Sequence, residues 1–155
     1  MTPLHFDVHE CDSQIESKLL GLLEAVNDDF VPPLSEWVSL PNYAAKLAQK
    51  AVCWLVYEGD TLIGFAACYV NSAPGFSFWT MLAIRKEFRN RMAALPLEQM
   101  VIAYCKSKGS SGIQAEVDPR HVELIQLHRM FGFVVGQEQV LEAERSIVPL
   151  TLTFK

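Results

Sequence analysis

Nowhere does this chain hold the run of about 18 apolar residues that crosses a bilayer. Its first residues, MTPLHFDVHECD, carry acids where a secretory or organelle leader carries bases and an apolar centre. The expectation is a protein off the membrane and in the cytoplasm. A surplus of basic charge is also missing. Thirteen Lys and Arg against eighteen Asp and Glu give a net charge of −5, the wrong sign for tracking nucleic-acid phosphates. Cysteine is sparse: Cys11, Cys53, Cys68 and Cys105 form no CxxC, and three lie in apolar or helical stretches. Reduced cysteines in such places act as small hydrophobes in a reducing compartment. No repeat, low-complexity tract or linker divides the sequence. Its 155 residues, 50% of them hydrophobic, suit a single domain over 1–155.

Metal and hydrolase chemistry lack their patterns too. His121 and His128 share a helix face but stand about 10 Å apart along its axis. His5 and His9, in an extended segment, stand about 13 Å apart. Zinc–nitrogen bonds of about 2 Å bridge neither gap, so no metal is expected. No GxSxG turn marks a serine hydrolase.

What is present is a readable order of elements. Leu4 to Val8 alternates apolar and polar and reads as an edge-type strand. Ser13 and Glu16 have capping-box spacing and open a helix with Ile15, Leu19, Leu22, Leu23 and Val26 on one face. Asn27-Asp28-Asp29 ends it, and Pro32-Pro33 blocks a restart. Asn42 or a neighbour caps a second short helix, Tyr43 to Lys50. Val52–Tyr57 and Thr61–Asn71 flank Glu58-Gly59-Asp60 as a hairpin. Beyond the turn Ser72-Ala73-Pro74-Gly75, Phe76–Ile84 is a third strand of the same meander. A basic loop, Arg85 to Arg91, leads into a helix with Leu97, Met100, Val101 and Tyr104 on one face and Gly109 beyond its end. Ile113–Val117 reads as a strand, and Val122–Phe131 as a helix stopped at Gly132. Phe133–Val135 and Leu150–Phe154 are the last strands. The order β-α-α-β-β-β-α-β-α-β-β is a mixed α/β (α+β) domain, and it names no function by itself.

Chemistry concentrates at the junction LAIRKEFRNRMAALPLEQMV. A helix N-terminus entered from a basic loop offers backbone N–H groups and a positive dipole end, both suited to a pyrophosphate. From the residues alone, a solvated basic loop before an ordinary amphipathic helix reads equally well. Here the chain resembles the GCN5-related N-acetyltransferase (GNAT) superfamily. Leu82-Ala83-Ile84 followed by Lys86-Glu87-Phe88-Arg89 is similar to that family's fourth strand and the start of its acetyl-CoA loop. The loop continues Arg89-Asn90-Arg91-Met92-Ala93-Ala94, and AEVDPRHVELIQLHRMFGF is similar to the second signature, ending at Gly132-Phe133. The departures are Met92 where the family usually has Gly, His121 where it often has Asn, and His128 where it often has Tyr.

The resemblance implies a GNAT-like fold, a mostly antiparallel mixed sheet flanked by helices. It also implies acetyl transfer from acetyl-CoA to the amine of a small molecule, by direct attack in a ternary complex without a metal. The backbone of Leu82, Ala83 and Ile84 would pair with pantetheine and polarise the thioester carbonyl. Arg89, Asn90, Arg91, Met92, Ala93 and Ala94, with His121, would hold the cofactor. His128 matches the residue that protonates the thiolate, and histidine exchanges protons near neutral pH. Glu116, or Asp118, is the nearest candidate base. Asp29, Phe30, Tyr69 and Asn71 would line the acceptor site, with Asp29 and Phe30 in the stretch NDDFVPPLSEWVSLPNYAAKL. Phe30, Leu34 and Trp37 also read as docking that stretch on the core. The rival reading is a catalytically inert module that binds acyl-CoA or a protein partner, motivated by Met92 and the missing Tyr. The apolar SIVPLTLTFK strand needs covering, which suggests a homodimer.

Overall fold

The alternating N-terminal segment pairs along its whole length. In a computed structural model, which describes residues 2–142 and 145–155, Leu4–Glu10 forms β1, antiparallel to Val52–Glu58, β2. The hairpin turns at Gly59, whose φ of +59° is left-handed, and returns as β3, Thr61–Ala73. Contacts divide the chain into two units: residues 2–68 with Met81–Leu97, and Tyr69–Thr80 with Glu98–Lys155.

In the first unit α1, Glu16–Val26, packs against α2, Leu40–Lys50, which also packs against β2. Both helix starts differ from the sequence expectation. Cys11 has φ +49°, so the chain turns one residue early and Asp12, not Ser13, faces the free amides. Asp12 accepts from the Gln14 N–H at 2.9 Å, and a 3-10 turn, Ser13–Ile15, precedes α1. For α2, the Ser39 hydroxyl accepts from the Asn42 N–H at 3.4 Å, so Asn42 is the donor rather than the cap. Pro41 sits in that first turn, where its missing N–H costs nothing. Leu19, Leu22, Leu23 and Val26 of α1 and Leu47 of α2 are buried, as are Trp54, Leu55 and Phe65 of the strands. Each such side chain stabilises the fold by about 1.5–3 kcal/mol. A Cβ on Gly64 would lie 2.6 Å from the Ala83 carbonyl oxygen. Glycine therefore lets the end of β4, Phe76–Ile84, come close, and the Arg85 N–H donates to the Ile63 carbonyl at 2.8 Å.

In the second unit β4 begins after Gly75 (φ +81°) and runs parallel to β5, Gly112–Val117. Next to β5 lies β8, Ser146–Thr153, antiparallel to it. Two short strands pair with the other edge of β8: β6, Val134–Val135, and β7, Gln139–Val140. β7 carries no sequence signal, because two residues establish no period. β8 starts at Ser146 rather than Leu150, and both its edges are paired within this chain. The uncovered strand behind the homodimer expectation is therefore covered already. Helices α3, Ala94–Ser107, and α4, Val122–Met130, complete the elements, a mixed α/β set with mostly antiparallel pairing. Among the described residues no helix is long and apolar enough to cross a membrane.

Candidate functional site

The β4–β5 ladder is short. Its parallel register runs from Phe76↔Gly112 to Trp79↔Ala115 and ends there. The register of β5 with β8 continues two residues further, to Val117↔Val148. Leu82, Ala83 and Ile84 lie past the last parallel pair along β4; Ala83 is buried, and its two neighbours are half-buried.

The basic loop after β4 is a 3-10 helix, Lys86–Arg91, closed by Met92 at φ +58°, ψ +36°. This left-handed conformation is the one a glycine takes without strain. Met92 adopts it with a side chain 68% exposed, so the side chain leaves the turn rather than filling it. Pro96 sits in the first turn of α3, where its missing N–H is tolerated. The arginine side chains are engaged elsewhere. Arg89 Nη2 donates to Asp29 Oδ2 at 2.5 Å and its Nε to the Ile84 carbonyl at 3.2 Å. Arg91 forms an ion pair with Glu58 and donates to the Thr2 carbonyl at 2.7 Å. Two residues expected at separate subsites, Arg89 and Asp29, are therefore brought together, while Arg91 is directed to the β2–β3 hairpin. Asn90 is exposed, Ala93 buried and Ala94 half-buried.

His128 is 2% exposed, on α4. Its Nδ1 stands 2.8 Å from Oε2 of Glu98, a fully buried carboxylate on α3. The Trp79 ring meets the imidazole edge-on at 4.8 Å and 71°, and Phe133 lies 4.8 Å away. The sequence reading missed Glu98. An amphipathic pattern counts a carboxylate as solvent-facing, yet the buried face of α3 is Leu97, Glu98, Val101 and Cys105. The usable signal was phase: Glu98 lies three residues before Val101 and seven before Cys105. Glu98 Oε1 is buried without a hydrogen-bond partner.

The remaining candidates divide. Glu116 is exposed on β5, opposite Pro149. Asp118 accepts from Arg120 Nη2 at 2.8 Å, and that hydrogen bond holds its carboxyl below the usual carboxylate range. A carboxylate held in this way is a weak proton acceptor. His121 occupies the N-cap of α4 without a side-chain capping bond. Tyr69 is half-buried near the end of β3. Asn71, which reads equally as an acceptor contact or an ordinary strand residue, closes a local network. Its Nδ2 donates to the Lys108 carbonyl at 3.1 Å, and its Oδ1 accepts from Ser110 Oγ at 2.6 Å. With both side-chain atoms committed and φ at +55°, Asn71 is a corner residue.

The α1–α2 connection also departs from expectation. Leu34 is fully buried and docks the segment. Trp37 is 40% exposed, and Phe30 is half-buried. Asp28 and Glu36 are exposed beside them in sequence. The connection thus shows solvent an aromatic ring and carboxylates rather than a sealed apolar dock.

The acetyltransferase (GNAT) family model matches residues 19–133. No curated protein matches the sequence significantly. Among solved structures, the chain is similar to the ribosomal-protein-S18-alanine N-acetyltransferase of Escherichia coli. That likeness has 12% identity over 96% of this chain and 94% of that one, with a TM-score of 0.76. It is also similar to NAA60 of Arabidopsis thaliana, solved in complex with acetyl-CoA. There the identity is 14% over 98% and 99% of the two chains, with a TM-score of 0.75. A GNAT-family acetyltransferase of Streptococcus pneumoniae gives 15% identity over 97% and 100%, with a TM-score of 0.72. Likeness at such identities concerns the fold alone. The family match covers most of the sequence and includes β4, the left-handed turn at Met92, α3 and α4. On that ground this chain belongs to the acetyltransferase (GNAT) family.

Proposed function

We propose that the protein transfers an acetyl group from acetyl-CoA to the amine of a small molecule. The observation that supports this reading is the left-handed turn at Met92 between β4 and α3, at the position where the resemblance expects glycine. Acetyl-CoA supplies an acetyl thioester already activated for attack by an amine. The backbone of Leu82, Ala83 and Ile84 is assigned to pantetheine, and the amides from Arg89 to Ala94 to the pyrophosphate. Arg89 contributes charge once released from Asp29, and Arg91 anchors the loop through Glu58. His121 is assigned to the cofactor as well. His128 gives the proton that neutralises the thiolate, and exposed Glu116 takes the amine's proton, directly or through water.

For the acceptor, the exposed Asp28, Glu36 and Trp37 favour a cationic amine, with Asp29, Phe30 and Tyr69 as further contacts. The test is CoA release from acetyl-CoA with a panel of small polyamines, amino sugars and N-terminal peptides. Release with a small amine supports the proposal. Release with peptides alone moves the acceptor to a protein N-terminus.

A second reading is favoured by the engaged arginines and the buried His128: a module that binds acyl-CoA or a partner without turnover. Saturable acetyl-CoA binding with no release from any amine selects it.

A further inference from the structure

The proposed proton donor is held by a carboxylate that no step of the transfer consumes. We infer that Glu98 is a positioning residue for His128. By accepting from Nδ1–H it fixes the tautomer and ring plane, so that Nε2 is the nitrogen that exchanges the proton of acyl transfer. The inference rests on the acetyl-transfer reading with His128 as its acid.

Three observations carry it. The pair is short, 2.8 Å, and both side chains are buried. Trp79 and Phe133 each lie 4.8 Å from the imidazole, at 71° and 47°, so aromatic packing restrains the ring. The His128 carbonyl accepts from the Phe131 and Phe133 N–H groups at 3.0 and 3.2 Å, which pins the backbone beneath the ring.

The chemistry follows from donor and acceptor capacity. With Glu98 taken as the acceptor of this hydrogen bond, the shared proton is placed on Nδ1. Nε2 is then a lone pair in the neutral ring and a donor in the charged one. With the ring charged, Nε2 carries the second proton and gives it to the departing sulfur as the amine nitrogen bonds to the acetyl carbon and the C–S bond breaks. The proton that Glu116 takes from the amine returns through water to recharge the ring, and Glu98 keeps its hydrogen bond throughout.

Long-range proton–nitrogen NMR of the ligand-free protein reads the tautomer directly. The expected spectrum shows neutral His128 protonated at Nδ1, and Glu98→Leu moves that proton to Nε2. In steady-state kinetics Glu98→Gln lowers kcat about tenfold with KM for acetyl-CoA within about twofold, a smaller loss than the roughly hundredfold cost of losing the acid. The double variant Glu98→Leu/His128→Phe is expected to melt at or above the parent temperature. A wild-type ring protonated at Nε2, or a Glu98→Leu variant with unchanged tautomer, overturns the inference. So does a double variant that melts well below the parent, which would mark the pair as structural. Wild-type kcat in His128→Gln overturns the acid reading and the inference with it, whereas a wrong tautomer with His128-dependent kcat overturns the inference alone.

Discussion

Arg89 Nη2 and Asp29 Oδ2 are 2.5 Å apart, so a cation of the proposed phosphate loop is already matched by a carboxylate of the α1–α2 connection. A phosphate and Asp29 then compete for one guanidinium. Arg89→Ala should weaken CoA binding about tenfold, the loss of one charge-assisted hydrogen bond. Asp29→Asn should do the opposite and tighten it a few-fold, because the competitor is gone. Calorimetry on both variants checks the pair of signs. Weaker binding in both would mean that Asp29 orients Arg89 rather than competing with the phosphate.

Met92 holds a left-handed backbone that costs a non-glycine residue about 1–2 kcal/mol. Glycine removes that cost but adds about 0.4–1 kcal/mol of freedom to the unfolded chain. Met92→Gly should therefore raise the melting temperature by a few degrees at most and tighten CoA binding. Met92→Ala keeps a Cβ and should leave stability nearly unchanged. A thermal melt of the two variants decides it.

Thiol reactivity should split sharply. Burial pushes the Cys53 thiol up to about 12, while Cys11 is exposed. The native protein should react with a disulfide reagent at one fast site, and Cys11→Ser should abolish it. Cys53, Cys68 and Cys105 should react only on unfolding, because all three are buried. Any thiol-based assay of CoA release needs that background removed.

Acid stability should depend on Asp118. Its carboxyl is held low chiefly by the Arg120 side-chain hydrogen bond. A depressed native value means the interaction stabilises the fold above the unfolded carboxyl's value, about 3.9, and the benefit is lost as pH falls through the native value. Asp118→Asn should melt about 1–3 °C below wild type at pH 7. The two curves should converge below about pH 3, and parallel curves down to acid would contradict the assignment.

The legible parts of this molecule were those with local signals. Phe76–Ile84 runs between a Pro-Gly turn and a basic loop, and its bounds match the strand as read. The leucine face of α1 followed from a helical period, and the capping error was one residue. What the sequence hid were contacts between distant residues. Glu98 and His128 are thirty positions apart, and a pattern that treats every carboxylate as solvated places Glu98 outside. Arg91 reads as a phosphate ligand because nothing in its neighbourhood announces Glu58. Asn71 reads as a pocket residue until its turn brings Ser110 and Lys108 to it.

The most direct test of the account is calorimetric titration of the purified protein with acetyl-CoA, with dephospho-CoA and adenosine as controls. One saturable site that weakens when Arg89 is replaced, and that adenosine alone does not fill, is the predicted result. No heat of binding at millimolar acetyl-CoA would contradict it, because the turn at Met92 would then hold no phosphate.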